Sequence, residues 1–224
     1  MKKQIISSLL ALTMLCSLST AAFAYGPEVD SADSTSPAET EAVVTVVNNS
    51  RYLTDAEAEE MKEDISAGII LDSGEAIPVD CTVTIEDVDS DMAPRQAGSR
   101  TYRTTVRAST PPAVNSGKKD GDGVEAYATL TMDWTDVPGI ANEINAIQGH
   151  IDVVTGTLRN SDVFYGDTHN RPLLRDGFIT GTDRTFLKYV NYTSTSLTGS
   201  LHVCYRAWFT GVPDARGLFV CVNN

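Results

Sequence analysis

The residues able to do chemistry in this chain are few and widely spaced. His150, His169 and His202 stand 19 and 33 positions apart, without the close pairing that puts two imidazoles on one metal ion. No G-x-S-x-G elbow presents a nucleophilic serine. Asp87, Asp89 and Asp91 are spaced like the first ligands of a calcium loop. Such a loop needs glycine at its sixth position and a bidentate glutamate at its twelfth, where this chain has Met92 and Gly98. The triplet therefore reads as a solvated acidic turn, and Asp120 and Asp122, each followed by a glycine, read as another. These patterns assign no catalytic residue, no metal ligand and no cofactor.

Cysteine offers more. Cys16 lies in the N-terminal leader described below, which leaves Cys81, Cys204 and Cys221. Cys204 and Cys221 fall on consecutive predicted strands around the loop 211–217, where a hairpin or a facing strand pair brings them within bridging distance. Closing a loop of about 15 to 20 residues stabilises a fold by on the order of 3 kcal/mol in the chain-entropy picture. Cys81 sits on the apolar face of an alternating strand and reads as a small buried hydrophobe rather than a nucleophile. A pairing of Cys81 with a histidine would have to be made by the fold.

Aromatic residues supply the binding candidates. Tyr127 occupies the wet face of a strand among Thr129 and Thr131, and Trp208 shares a strand face with His202 and Arg206. An exposed ring among hydrogen-bonding groups can hold a sugar or a peptide; the plainer alternative is that Trp134 and Trp208 are both core and Tyr127 merely covers a sheet. The polar run 167–172, which contains His169, reads as a hydrated loop between strands.

Most of the chain is written in period two. Tyr102, Thr104, Val106 and Ala108 alternate with Thr101, Arg103, Thr105 and Arg107; residues 124–134 carry Val, Ala, Leu, Met and Trp at even positions against Glu, Tyr, Thr and Asp at odd ones. Further strands are expected at 163–165, 185–192, 201–209 and 218–222, separated by Gly, Asp, Asn and Pro clusters. Residues 140–155 fit a helical stripe and an alternating strand alike. Gly149 and the many β-branched residues favour the strand. Upstream, 42–47 and 77–85 read as strands, and 54–68 reads as a helix with Thr54 and Glu57 as its capping box and Gly68 as its stop. The fold class implied is mainly β: an antiparallel sandwich, or a barrel-like variant, preceded by an acidic segment with one short helix and one or two strands.

Charge divides the chain. Between Tyr25 and Gly98, Arg51, Lys62 and Arg95 oppose eighteen acidic residues, a balance of −15, whereas from Ser99 onward twelve basic residues meet twelve acidic ones. Nucleic acid would be repelled by the acidic half and is excluded as a partner. At the start, Lys2 and Lys3 precede an apolar run that ends in Ala22-Phe23-Ala24, the pattern of a cleaved secretory signal peptide too short to span a bilayer. The expected organisation is a signal peptide over 1–24, an acidic linker over 25–41, an acidic region over 42–98 that could be a pro-segment, and a β domain over 99–224. The layout resembles that of many secreted bacterial proteins, a likeness that carries no activity.

The reading that follows is a secreted or surface-associated binding module rather than an enzyme, with no cofactor and no transmembrane anchor after signal cleavage. Its expected partner is a cell-surface glycan or protein, held through Tyr127, Trp208, His202 and Arg206, and its binding is expected to survive removal of residues 25–98. Two alternatives come from other classes: a small secreted hydrolase whose site is assembled only in the fold, and an exported toxin or bacteriocin-like product with an acidic pro-region.

Overall fold

Alternation becomes burial along β6 (Ala126–Asp136), where Ala126, Ala128, Leu130, Met132 and Trp134 point into the core and Tyr127, Thr129 and Asp133 point out. Neighbouring β5 (Arg100–Ser109) repeats the pattern, burying Tyr102, Thr104, Val106 and Ala108. The computed structural model describes residues 42–63, 65–88, 98–109, 125–167, 176–195, 200–211 and 215–224. The leader, the linker over 25–41, Asp89, Asp91, the turn holding Asp120 and Asp122, and the loop with His169 lie outside those residues.

The fold is mainly β, with two six-stranded sheets packed face to face as a sandwich. The first sheet runs in the order β1 (Val44–Asn48), β4 (Cys81–Asp87), β5, β6, β7 (Glu143–Val153), β10 (Thr185–Thr193). The second runs β3 (Ala76–Pro78), β2 (Ser66–Leu71), β12 (Ala215–Asn223), β11 (Leu201–Thr210), β8 (Thr157–Asp167), β9 (Asp176–Ile179). Every pairing is antiparallel except that of β1 with β4. The core between the sheets includes Val83, Leu130 and Ile147 from the first and Val163, Val203 and Val220 from the second, all fully buried. Each such side chain contributes roughly 1.5–3 kcal/mol relative to exposure. Among the described residues no helix is long and apolar enough to cross a membrane.

The acidic half is built into both sheets. β4 lies beside β5, with Cys81 opposite Ala108, and β2 lies beside β12, with Gly68 opposite Phe219. Residues 40–224 form one compact unit, which spans the division expected between 98 and 99. Removing 42–98 would strip edge strands from each sheet and take Ile69, Val79, Val83 and Ile85 out of the core. That loss from the common core removes the structural ground for expecting binding to survive such a deletion.

Helix α1 (Asp55–Lys62) starts as expected: the Thr54 hydroxyl accepts from the Glu57 amide, and the Glu57 carboxylate accepts from the Thr54 amide at 2.7 Å. It ends earlier than Gly68. Residues 66–71 (SAGIIL) are apolar enough to pair with β12, and burial in a sheet overrides the helical start signal. Gly68 is a packing position: a Cβ there would lie 2.6 Å from Cε1 of Phe219. The single strand expected over 77–85 is two, because the chain leaves the second sheet after Pro78 and enters the first at Cys81. Buried Val79 marks that crossing. Residues 143–153 are a strand, and the short β9 carries no alternation strong enough to predict.

Candidate functional site

Along β11 the odd positions Val203, Tyr205, Ala207 and Phe209 are buried between the sheets, which turns His202, Cys204, Arg206 and Trp208 onto the outer face of the second sheet. Arg206 stands opposite Asp162 of β8 and grips it with two hydrogen bonds, Nε to Oδ1 at 2.8 Å and Nη2 to Oδ2 at 2.9 Å. The fork fixes the guanidinium as a flat plate, centred 4.3 Å from the Phe164 ring and 5.7 Å from the Trp208 ring. Arg216 approaches Trp208 from β12, its guanidinium also 5.7 Å from the ring centre.

Two local irregularities shape this surface. Opposite Trp208 stands Gly217, where a Cβ would come within 3.1 Å of the indole Cε3; glycine lets the ring lean over β12. Between Trp208 and Phe209 the pairing with β8 shifts register, leaving Arg159 as the extra residue of a bulge. A bulge breaks the in-and-out alternation, so Arg159 and Asn160 both face outward in succession. The result is a shallow cavity of about 380 Å³ lined by Arg159, Asn160, Trp208, Phe209 and Arg216. No carboxylate pairs with Arg159 or Arg216 among the described residues. Half-buried indole, flanking cations and a side-chain amide together can stack on a ring and hold a negative group attached to it.

Farther along the same face, Cys204 and Cys221 stand directly opposite each other, their sulfurs at the disulfide distance of 2.02 Å. Nε2 of His202 lies 3.0 Å from the Cys204 sulfur, and Nδ1 of the same ring is in hydrogen-bond contact with Oδ1 of Asn223. The donor atoms of His202, Cys204 and Cys221 lie within 4.8 Å of one another. While the sulfurs are bridged neither offers a thiolate, so this trio does not have the donor set of a zinc centre.

The other sequence candidates are placed apart. Tyr127 is exposed on the outer face of the first sheet, on the far side of the sandwich from Trp208, and donates to Glu125 at 2.9 Å. His150, on that same outer face, pairs with Thr185 at 2.8 Å. Asp87 is a turn anchor, accepting from the Ser50 hydroxyl at 2.6 Å and the Arg51 amide at 3.0 Å. Trp134 is core, stacked on Tyr102 with its Nε1 donating to Thr104. Cys81 is a buried free thiol; burial and then the neighbouring Asp80 charge push it above the ordinary thiol range. Iodoacetamide at pH 8 is therefore expected to leave Cys81 unmodified in the folded protein and to modify it fully in denaturant. Rapid native labelling would place it at the surface.

Sequence reasoning found His202, Arg206 and Trp208 on one face and missed Arg159, Asn160, Phe164, Arg216 and Asn223. Strand alternation through 163–165 put Phe164 on the outward side, a usable signal. The bulge at Arg159 and the register that sets Asn223 opposite His202 left none. Comparison with protein-family models, with curated proteins and with solved structures finds no match to this chain.

Proposed function

We propose that this protein is a secreted or surface-associated binding module that takes a carboxylate- or sulfate-bearing cell-surface glycan on the outer face of its second sheet. The observation that carries this reading is the Trp208 indole, laid over Gly217 at the edge of a cavity that Arg159 and Arg216 flank without carboxylate partners among the described residues. A sugar ring presents axial C–H groups to the indole face, and its acidic substituent meets the guanidinium groups. Asn160 supplies both a donor and an acceptor for hydroxyls. The leader pattern in 1–24 and the Cys204–Cys221 bridge support an oxidising, exported setting. Tyr127 is not part of this surface, because its sheet faces the opposite way.

The test is titration of the full mature chain with heparin-derived and uronic-acid oligosaccharides beside their neutral counterparts. Trp208→Ala is expected to weaken binding of the acidic sugars about 10-fold or more. Replacing Arg159 and Arg216 together should flatten the dependence on salt, since two rim charges account for it. Tyr127→Ala should change nothing. Equal affinity for neutral and acidic sugars, or wild-type affinity in Trp208→Ala, sinks the reading. Turnover of a peptide or glycan that is lost on replacing His150, His169, His202 or Cys81 would favour the hydrolase instead.

A further inference from the structure

The sugar surface described above does not use the disulfide, and the disulfide has its own chemical neighbours. In an antiparallel pair, positions i and i+2 share a face and directly opposite residues touch. β11 and β12 therefore set four side chains in a square, His202 opposite Asn223 and Cys204 opposite Cys221. The positions of β8 facing this square are Gly166 and Phe164, and Ser66 of β2 faces Cys221. The next outward position on β11 is Arg206, whose charge is committed to Asp162. His202 is thus the ionisable group placed against the bridge from these strands, with Nε2 3.0 Å from the Cys204 sulfur. Asn223 Oδ1 accepts only, so the ring carries hydrogen on Nδ1. The imidazolium form has a second N–H, which points at Cys204.

We propose that Cys204–Cys221 is a thiol-exchange site, in which His202, oriented by Asn223, holds the Cys204 sulfur as a thiolate once a small thiol has opened the bridge. A low-molecular-weight thiolate attacks the Cys221 sulfur and forms a mixed disulfide there. The S–S bond breaks, and its electron pair leaves on Cys204, where the Nε2–H of the imidazolium donates to it. A second small thiol then displaces Cys221. Two thiols are oxidised to one disulfide, and the protein bridge is reduced to two thiols that take up the protons released. Bond breaking is faster toward the sulfur that is the better leaving thiolate, and a histidine cation beside a cysteine makes it one. Cys204 is half-buried and Cys221 is 9% exposed, both on the outer face of the sheet rather than between the sheets.

The experiment uses the full chain and glutathione. Acid quenching during reduction should trap glutathione on Cys221, read by peptide mass spectrometry. After complete reduction, iodoacetamide at pH 6.5 should modify Cys204 at least ~10-fold faster than Cys221, with a pH midpoint about one unit or more below the ordinary 8.5. His202→Gln should abolish that difference and return the midpoint to the ordinary range, a shift that a merely structural histidine would not produce. Glutathione trapped on Cys204, equal labelling of the two cysteines in the wild type, or a pH profile unchanged in His202→Gln would each overturn the proposal. The trapping and the wild-type comparison need no variant to fold.

Discussion

Asp167→Ala is expected to lower the free energy of unfolding by about 3 to 5 kcal/mol, because it removes one acceptor from several buried or half-buried donors at once. Asp167 closes β8 and is only 2% exposed. Its Oδ2 accepts from the Tyr192 hydroxyl at 3.1 Å, the Ser194 hydroxyl at 3.3 Å, and the amide and hydroxyl of Thr195 at 2.8 Å each. Those donors lie at the end of β10 and just beyond it, in the other sheet, so the carboxylate clasps the two layers of the sandwich together. Asp167→Asn keeps the shape and one acceptor oxygen, and should lose about 1.5–3 kcal/mol, the worth of the charge assistance. Urea unfolding monitored by fluorescence gives both numbers through the shift in midpoint at unchanged slope.

The same clasp predicts an alkaline limb. Burial pushes the Tyr192 phenol up to about 12, helped next by the Asp167 charge and by the hydrogen bond to it. An unfolded chain releases a phenolic proton near 10. The stability contributed by Tyr192 is therefore complete below about pH 10 and is lost as the pH climbs from there through about 12. Asp167→Ala should shorten this limb, leaving the part that burial alone sustains. A variant whose urea midpoint and alkaline limb both match the wild type would show that Asp167 does not tie the sheets.

Gly149→Val is the second large effect, expected at about 2 to 4 kcal/mol of lost stability. Gly149 stands directly opposite Phe186, and a Cβ there would lie 2.3 Å from Cε1 and 2.4 Å from Cζ of that ring. Phe186 cannot yield cheaply. Its ring packs at 5.2 Å on Tyr205 of β11 and edge-on at 5.5 Å on Phe178 of β9, so it joins the first sheet to the second. Displacing it forfeits two aromatic contacts of about 0.5–1.5 kcal/mol each, in addition to the strain of overpacking. A melting temperature within a degree of wild type would mean that the ring swings aside without loss.

Gly149 also shows how the sequence could be read and where it stopped being readable. The stretch 140–155 satisfied both periods, and the glycine weighed toward a strand for a local reason, its low helical propensity. Its actual function is non-local: it is the hole that receives Phe186, 37 residues on. Gly68 misled for the same cause. A glycine after a helix-like stretch is a good stop signal, but this one lies within a strand because Phe219 rests on it. The abrupt change of charge at residue 98 suggested a boundary, yet charge describes the wet faces of strands, and the dry faces of β2 and β4 belong to the common core.

What the sequence determined by itself was whatever depends on spacing along the strand. Period-two alternation decides which side chains point in and which point out, so it placed His202, Arg206 and Trp208 on one outer face, buried Cys81 and Trp134, and implied a β-sandwich. The placing of Cys204 and Cys221 on consecutive strands around the loop 211–217 implied their bridge. Tertiary structure alone decided what depends on register and on which strands become neighbours. It set Asn223 against His202, brought Arg159 and Arg216 to Trp208 through a bulge and a glycine, and separated Tyr127 onto the opposite sheet. It also converted Asp167 from a loop residue into the clasp between layers. Alternation is an intrinsic property of an extended chain, whereas register is selected by the whole core at once, because a slip of one residue turns every side chain to the other face.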